Sequence, residues 1–332
     1  MKIKIYFIEK SISFDSSYLN SSSIAGSEKV LINIANELSK DDNLIIKVFN
    51  NTDNEKTINN VQWININRIK DSDAPDYLIA MSDANLLSLL NCKKKYLWSH
   101  SVQPIEKFIR KKQLIPFIKN KPVMLLEGVY HYKTRSFFTS IFGKKIISIA
   151  PDYDFIETKI NNEFIPPKKA IFTTRSDRNL MFLLDSWKTI SSLCSNSSLY
   201  INPPFNLTSD YKNIGINLRV KGDKSKLINE LLNSRVMLNP GHKGEVFCLA
   251  AEEARELCLP IVTMGYGSLK ERVDHGITGY IAKNKDEFVK YSVKILSDDD
   301  LYLKLKSNLI SRKGSRTYRS VAKDLLKILY GN

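Results

Sequence analysis

Glu245 and Glu253 are two carboxylates with seven residues between them, in the stretch Gly244-Glu245-Val246-Phe247-Cys248-Leu249-Ala250-Ala251-Glu252-Glu253-Ala254. Phe247, Ala250, Ala254 and Leu257 recur at three- and four-residue spacing, the stripe of a helix that begins near Val246 or Phe247. The first backbone N–H groups of such a helix have no partner within it and carry partial positive charge. They suit an anion such as a diphosphate. Glu245 would stand beside that end and Glu253 about two turns further on, where each could accept hydrogen bonds from hydroxyl groups. Read alone, the two residues also fit helix-surface acids, Glu245 being favoured near a helix start by the macrodipole. A short apolar strand, Ile261-Val262-Thr263, comes next, followed by a glycine turn, Gly265-Tyr266-Gly267-Ser268, and Glu271. Together these elements describe a pocket for a ligand rich in hydroxyls and bearing phosphate.

The surrounding residues carry a resemblance. Glu245, Glu253, Ala254, Pro260, Ile261, Val262, Gly267, Glu271, Gly276 and Gly279 follow in order over about thirty-five positions. The pattern resembles the C-terminal donor-binding motif of GT-B glycosyltransferases, specifically the large retaining group called glycosyltransferase family 4. Cys248 and Cys258 depart from it, since each stands where that family usually has Gly. Both replacements are small, so they bear on the shape of the donor pocket and not on the fold. The resemblance implies that Glu245 positions a donor sugar, Glu253 holds a ribose, and Val246, Phe247, Cys248 and Leu249 line the diphosphate. His242, in Pro240-Gly241-His242-Lys243-Gly244, would lie in the loop beside the sugar.

Three other segments match the family in order. Arg175 and Arg178 follow the strand-like run Ala170 to Thr174, where the family places basic residues that hold the diphosphate. A planar guanidinium makes paired, charge-assisted bonds to phosphate, although two solvated loop arginines would give the same letters. His100, after Tyr96-Leu97-Trp98, resembles the family's active-site histidine and could hydrogen-bond a sugar hydroxyl. A satisfied structural histidine is the plainer alternative. His131 is a weaker candidate for the acceptor side. Gly26, in Ala25-Gly26-Ser27-Glu28, matches the glycine turn after the first strand, where it would let backbone approach the donor or acceptor. It also fits a tight turn before a helix capped by Ser27.

Elements that would position these groups alternate strand and helix. Ile3 to Ile8 reads as a buried strand, Ser11 to Ser23 as a polar loop, about Ser27 to Lys40 as a helix and Leu44 to Phe49 as a strand. Further strands are expected at Tyr77 to Met81, Lys95 to Trp98, Val123 to Leu126 and Lys145 to Ile149. The Asn-rich region 51–67 shows no clear period. The expected fold class is α/β of the GT-B type, two Rossmann-like doubly wound parallel-sheet domains facing a cleft. The N-terminal, acceptor-side domain would span 1–165, the donor-binding domain 166–313, and a terminal helix, 314–332, would cross back to the first domain. Pro166-Pro167 marks the link.

The formal net charge is +15. Between Ile105 and Lys121, Lys107, Arg110, Lys111 and Lys112 interleave with isoleucines and phenylalanines, a basic amphipathic stretch that could lie on an anionic membrane. A solvated helix face is the bland alternative. Nucleic acid is not expected, because no helix-turn-helix, RNP or zinc-finger pattern occurs. The four cysteines have no metal or redox spacing and imply no disulfide framework. Met1 to Ile8 is a short run ended by Glu9 and Lys10, too short for the apolar region of a secretion signal, and no run approaches the roughly twenty apolar residues of a membrane span. The reading is a cytoplasmic protein, peripheral to the membrane at most.

The function implied by the resemblance is retaining transfer of a sugar from a nucleoside-diphosphate sugar to a glycan or lipid-linked acceptor, in cell-surface polysaccharide or lipopolysaccharide synthesis. Neither metal nor cofactor is expected. Two alternatives stay open: a GT-B-like epimerase or phosphorylase, and a non-catalytic basic module that binds membrane or nucleic acid.

Overall fold

A computed structural model of the chain describes residues 2–21, 24, 26–203, 205, 208–220 and 222–331. Residues 1–150 and 316–332 form one compact unit, and residues 151–315 form a second. The division falls just before Pro151, upstream of Pro166-Pro167, because Phe155 already packs in the core of the second unit. Among the described residues no helix is long and apolar enough to cross a membrane.

The first unit carries an eight-stranded sheet. Its strands are β1 (Ile3–Ile8), β2 (Leu44–Asn50), β3 (Lys56–Ile58), β4 (Val61–Asn65), β5 (Tyr77–Met81), β6 (Lys94–Trp98), β7 (Val123–Leu126) and β8 (Lys144–Ile146). The spatial order is β3-β4-β2-β1-β5-β6-β7-β8. Ile5, Tyr6, Phe7 and Ile8 are all buried, as a parallel strand covered on both faces requires. β1 pairs in parallel with β2 and β5, so the strand order reverses between β1 and β5. Loops at the carboxyl ends of strands beside such a switch point are where ligands bind in open α/β sheets.

The first helix, Gly26–Leu38, buries Val30, Leu31, Ile34, Ala35 and Leu38. The terminal helix, Tyr318–Tyr330, packs against it and starts with a reciprocal cap between Thr317 and Ser320. Region 51–67, which has no readable period, contains the antiparallel β3–β4 hairpin. It turns at Asn59 and Asn60, with φ of 52° and 60°, a left-handed conformation that Asn tolerates better than most residues. The expected strand at Lys145 to Ile149 is shorter, Lys144–Ile146. The basic stretch from Ile105 is not one helix. It is Ile105–Arg110 and Leu114–Asn120, broken where Lys112 turns left-handed at φ 54°.

The second unit carries a six-stranded parallel sheet of β9 (Lys169–Phe172), β10 (Ser198–Ile201), β11 (Ile216–Leu218), β12 (Val236–Leu238), β13 (Ile261–Thr263) and β14 (Gly279–Ile281). Its order is β11-β10-β9-β12-β13-β14. The chain winds outward from β9 to β11, then returns to β12 on the other side of β9. The switch point therefore lies between β9 and β12, and the loops that follow these two strands are neighbours. The core beneath them is built on Phe172, Leu183, Leu184, Trp187 and Leu238.

Candidate active site

The loop after β9 contains Arg175 and Arg178, and the loop after β12 contains His242 and Glu245. The switch point thus brings the sequence candidates of the second unit together. Arg178 N–H donates to Arg175 O at 3.0 Å, and Asn179 takes a left-handed φ of 59° to start the helix Leu180–Leu193. The Asn179 amide donates to Gly241 O and ties the two loops together.

Arg178 is the central cation. Its Nη1–H donates to His242 Nδ1 at 2.8 Å, and its Nε lies 4.0 Å from Glu245 Oε1. Gly244 N–H also donates to His242 Nδ1, at 3.0 Å. An arginine and a backbone amide can only donate, so Nδ1 is an acceptor and the ring proton sits on Nε2. His242 is therefore oriented as a donor at its far nitrogen. Arg175 behaves differently. Its side chain is largely exposed and forks onto Asp177, at 3.1 Å and 2.7 Å. The two arginines are not equivalent, although the sequence offered them as a pair.

Glu245 is largely buried, and its Oε2 has no hydrogen-bond partner. Burial pushes its carboxyl above the usual range, and the Arg178 charge opposes that. Other buried orphans stand around the same sheet end: Thr173 Oγ1 and Thr174 Oγ1 after β9, and Ser268 Oγ after β13. Buried polar atoms are rarely left unpaired, and each such case needs a reason. Four at the carboxyl end of one sheet point to a polar ligand.

The turn after β13 is seated directly on the Glu245 loop. Ser268 N–H donates to Glu245 O at 2.9 Å. Gly267 has φ +68°, and a Cβ there would lie 2.3 Å from His242 O. Only glycine allows this contact. Gly241 is similar, since a Cβ would lie 2.7 Å from Tyr266 O.

The helix that carries Glu253 begins later than its spacing suggests. It spans Leu249–Glu256, and Cys248 is its N-cap in the left-handed region, φ 65°. Val246 and Phe247 belong to the preceding turn and are buried. Free N–H groups at the helix start are accordingly supplied from Leu249 onward, not from Val246. Ala251 and Ala254, not Ala250, lie in the core. Glu253 is half-buried on this helix, while its neighbour Glu252 is engaged by Arg255 and Arg272. Cys258, the second departure from the family, is also left-handed, φ 57°. Both cysteines occupy conformations that suit glycine.

In the first unit, His100 follows β6. Its backbone N–H donates to Ser82 Oγ at 3.3 Å, and its ring stacks on Trp98 with centroids 5.8 Å apart. Nδ1 lies 2.5 Å from Glu127 Oε1, while Nε2 is buried without a partner. Glu127 immediately follows β7 and was not singled out by sequence, although an acid directly after the apolar run Val123–Leu126 is a usable signal. Its backbone N–H donates to His131 Nδ1 at 3.2 Å. His131 is buried, which depresses its pKa to about 4 against the pull of Glu127. It lies buried behind Glu127, whose backbone N–H it accepts.

Gly26 is the first residue of the helix Gly26–Leu38, while Ala25 lies outside the described residues. Ser27 does not cap this helix; it lies within it and its hydroxyl donates to Glu28 at 2.9 Å. Glu28, buried and also bonded by Ser11 Oγ at 2.9 Å, is a second acid missed by sequence. Among the described residues no three His, Cys, Asp or Glu side chains gather in a set that could hold a metal ion.

Residues 205–312 match the family model described as glycosyl transferases group 1. No curated protein sequence matches the chain. Among solved structures, the chain is similar to WaaG, a glycosyltransferase involved in lipopolysaccharide biosynthesis, with TM-score 0.72 and 12% identity over 99% of this chain and 100% of that one. Anabaena HepE in complex with UDP-glucose gives 0.71 and 12% over 99% and 100%. Sucrose-phosphate synthase from Thermosynechococcus elongatus gives 0.69 and 11% over 99% and 99%. At these identities the likeness establishes the fold, which is GT-B with two Rossmann-like domains.

Proposed function

We propose that this GT-B protein is a glycosyltransferase that takes a sugar from a nucleoside-diphosphate sugar and passes it, with retention, to a glycan or lipid-linked acceptor of a cell-surface polysaccharide or lipopolysaccharide. One observation carries the reading: Arg178, His242 and Glu245 converge at the switch point between β9 and β12, with Glu245 Oε2 buried and unpaired. A carboxylate oxygen without a partner accepts from hydroxyls. A fixed guanidinium beside it suits a phosphate. The match of residues 205–312 to the group 1 glycosyltransferases supports the same class. HepE has been solved with UDP-glucose, and WaaG acts in lipopolysaccharide synthesis, which supports the donor and acceptor classes.

In this reading the anomeric C–O bond breaks with oxocarbenium-like character. Negative charge grows on the departing diphosphate. Arg178 and the first N–H groups of the Leu249–Glu256 helix stabilise it, with Arg175 free to leave Asp177 and join them. Glu245 orients the sugar, Glu253 the ribose, and His242 donates through Nε2. His100 offers a hydrogen-bonding nitrogen to a sugar hydroxyl. Fixed cations and dipoles supply the stabilisation, so the reaction is proposed to run without a metal or cofactor. The four cysteines are free thiols, which fits the cytoplasm as its compartment.

The test is calorimetric titration with UDP, GDP, ADP and CMP, with and without EDTA. Turnover of the matching nucleotide sugars follows, with the anomeric configuration of the product read by NMR. Tight binding of one nucleoside diphosphate, unchanged by EDTA, is expected. Binding of none would sink the proposal. Rearranged nucleotide sugar without free nucleoside diphosphate would move it to the epimerases.

A further inference from the structure

We infer that a cavity in the second unit, at the amino-terminal end of its sheet, binds a small organic monocarboxylate with an apolar body. Segments that lead into two strands line it. Leu231 and Ser234 precede β12, and Leu257 and Leu259 precede β13. The candidate active site stands at the carboxyl ends of these strands, so the two places are distinct. The cavity has a volume of about 210 Å³. An apolar cavity of about 150 Å³ admits benzene, so this one has room for a ring and a small head group.

Its wall holds a charge that nothing neutralises. Lys306 and Tyr302 line the cavity from one face of the helix Asp299–Ile310, a turn apart. Lys306 is only 4% exposed. Its Nζ donates to Asn161 O at 2.7 Å and to Phe164 O at 2.8 Å, which leaves the third ammonium proton unassigned. The two carbonyls let Lys306 tie down the segment 161–164, but they supply no anion. No carboxylate pairs with Lys306 among the described residues, and none of the residues lining the cavity is acidic. Cys258 is close enough to feel the charge, but burial pushes its thiol up to about 11, so it is neutral at physiological pH. Lysine is almost never buried without a partner. Arg235 gives the contrast. It lies over the same Tyr302 ring as Lys306 and is as deeply buried, and it has Asp299 Oδ1 at 2.5 Å. The Tyr302 hydroxyl, in a residue 3% exposed, makes no hydrogen bond among the described residues.

These groups select the ligand. One buried ammonium balances one negative charge. A carboxylate would accept the third proton of Lys306 and the proton of the Tyr302 hydroxyl, both of which otherwise go unused. Burial raises the pKa of that hydroxyl and keeps it a donor. A phosphate dianion would leave excess charge in a buried place, which is costly. Leu231, Leu257 and Leu259 are buried, and such walls favour a hydrocarbon body over a sugar. The inference does not depend on the donor chemistry.

The experiment is a saturation-transfer NMR titration of the full chain with benzoate, phenylacetate and isovalerate, beside benzyl alcohol and phenyl phosphate. At least one of the carboxylates is expected to bind about ten-fold or more tighter than either comparator. Lys306→Met should weaken that binding about ten-fold or more. Tyr302→Phe removes only a hydroxyl that the fold leaves unbonded, so it should weaken binding about three- to ten-fold with an unchanged midpoint in urea. Arg178→Ala should leave carboxylate binding as it is. Binding of none of the three carboxylates would overturn the proposal. So would equal binding of benzyl alcohol, tighter binding of phenyl phosphate, or undiminished binding by Tyr302→Phe. Loss of binding in Arg178→Ala would also overturn it, by placing the carboxylate at the cations of the candidate active site.

Discussion

His100 Nδ1 lies 2.5 Å from Glu127 Oε1, and this bond leaves Nε2 as the ring's unpaired nitrogen. A carboxylate can only accept, so Nδ1 carries a proton and Nε2 is the nitrogen left to face a ligand. Stacking on Trp98 and the Ser82 bond to the His100 backbone hold the ring in that pose. Glu127 is thereby a positioning residue for a histidine that the sequence could name but not orient.

Replacing Glu127 by Gln should separate orientation from folding. The amide can accept from Nδ1–H through its oxygen or donate to Nδ1 through its nitrogen, so the ring tautomer is no longer fixed. Turnover should fall about ten- to a hundred-fold with little change in KM for the donor. The nitrogen NMR shifts of His100 should report the exchange of tautomer without any substrate. An unaltered tautomer in Glu127→Gln would remove the positioning role.

Arg178 and Arg175 should respond unequally to alanine. Arg178 touches His242 and approaches Glu245, so its loss removes a charged hydrogen-bond donor and frees two neighbours. Nucleoside diphosphate binding should weaken by about 2–3 kcal/mol. Arg175→Ala should weaken binding less, because Arg175 is exposed and must first leave Asp177. Calorimetric titration of both variants checks the order, and equal losses would contradict it.

Glu245 should show a conflict between activity and stability. Its carboxyl is raised by burial, so ionising it costs more in the folded protein than in the unfolded chain. Folded protein then holds a proton where unfolded protein does not, and stability falls as pH rises through that window. Glu245→Gln should raise the melting temperature at neutral pH and lower turnover by about a hundred-fold or more. A lower melting temperature would show that the carboxylate stabilises the fold.

His131 sets the opposite slope in mildly acid solution. Burial depresses its pKa from 6.5 to about 4. Between these values unfolded chain binds a proton that folded protein refuses, so stability is lost as pH falls. The contribution is on the order of 3 kcal/mol. Melting curves from neutral to mildly acid pH should steepen for the wild-type chain and flatten for His131→Asn. Parallel curves would assign the acid lability elsewhere.

Gly267 and Gly276 make a controlled pair. Both have positive φ, +68° and +77°, so alanine strains the backbone at each by roughly 1 kcal/mol or a little more. A Cβ at Gly276 would meet nothing within 4 Å, whereas at Gly267 it would strike His242 O at 2.3 Å. Gly276→Ala should lower stability by about 1 kcal/mol and leave nucleotide binding intact. Gly267→Ala should cost about 2–4 kcal/mol and abolish binding, since the Glu245 loop must move. Matched losses in urea unfolding would remove the close contact as the cause.

Residue types and local spacing settled the classes of element, and the family resemblance supplied most of the candidates for the site. Apolar runs such as Ile3–Ile8 and Tyr77–Met81 can only be buried strands, and the helix after Gly26 follows from its stripe. Arg178, His242, Glu245 and Glu253 were legible because they lie on loops and a helix that follow such strands. The errors have local geometric causes. Cys248 turns left-handed and delays the helix to Leu249, which periodicity cannot detect because it counts residues and not dihedral angles. Lys112 does the same to the basic stretch.

By itself, then, the sequence determined the alternation of strand and helix, the glycine turns and the chemistry on offer. Tertiary structure decided which of those groups meet. Strand order places the loop after β9 beside the loop after β12, and so joins Arg178 to His242 and Glu245 across more than sixty residues. It also placed Glu127 against His100 and turned Arg175 to solvent. The reason is physical: hydrogen bonds and burial between loops depend on which strands pair, and pairing is a property of the whole sheet.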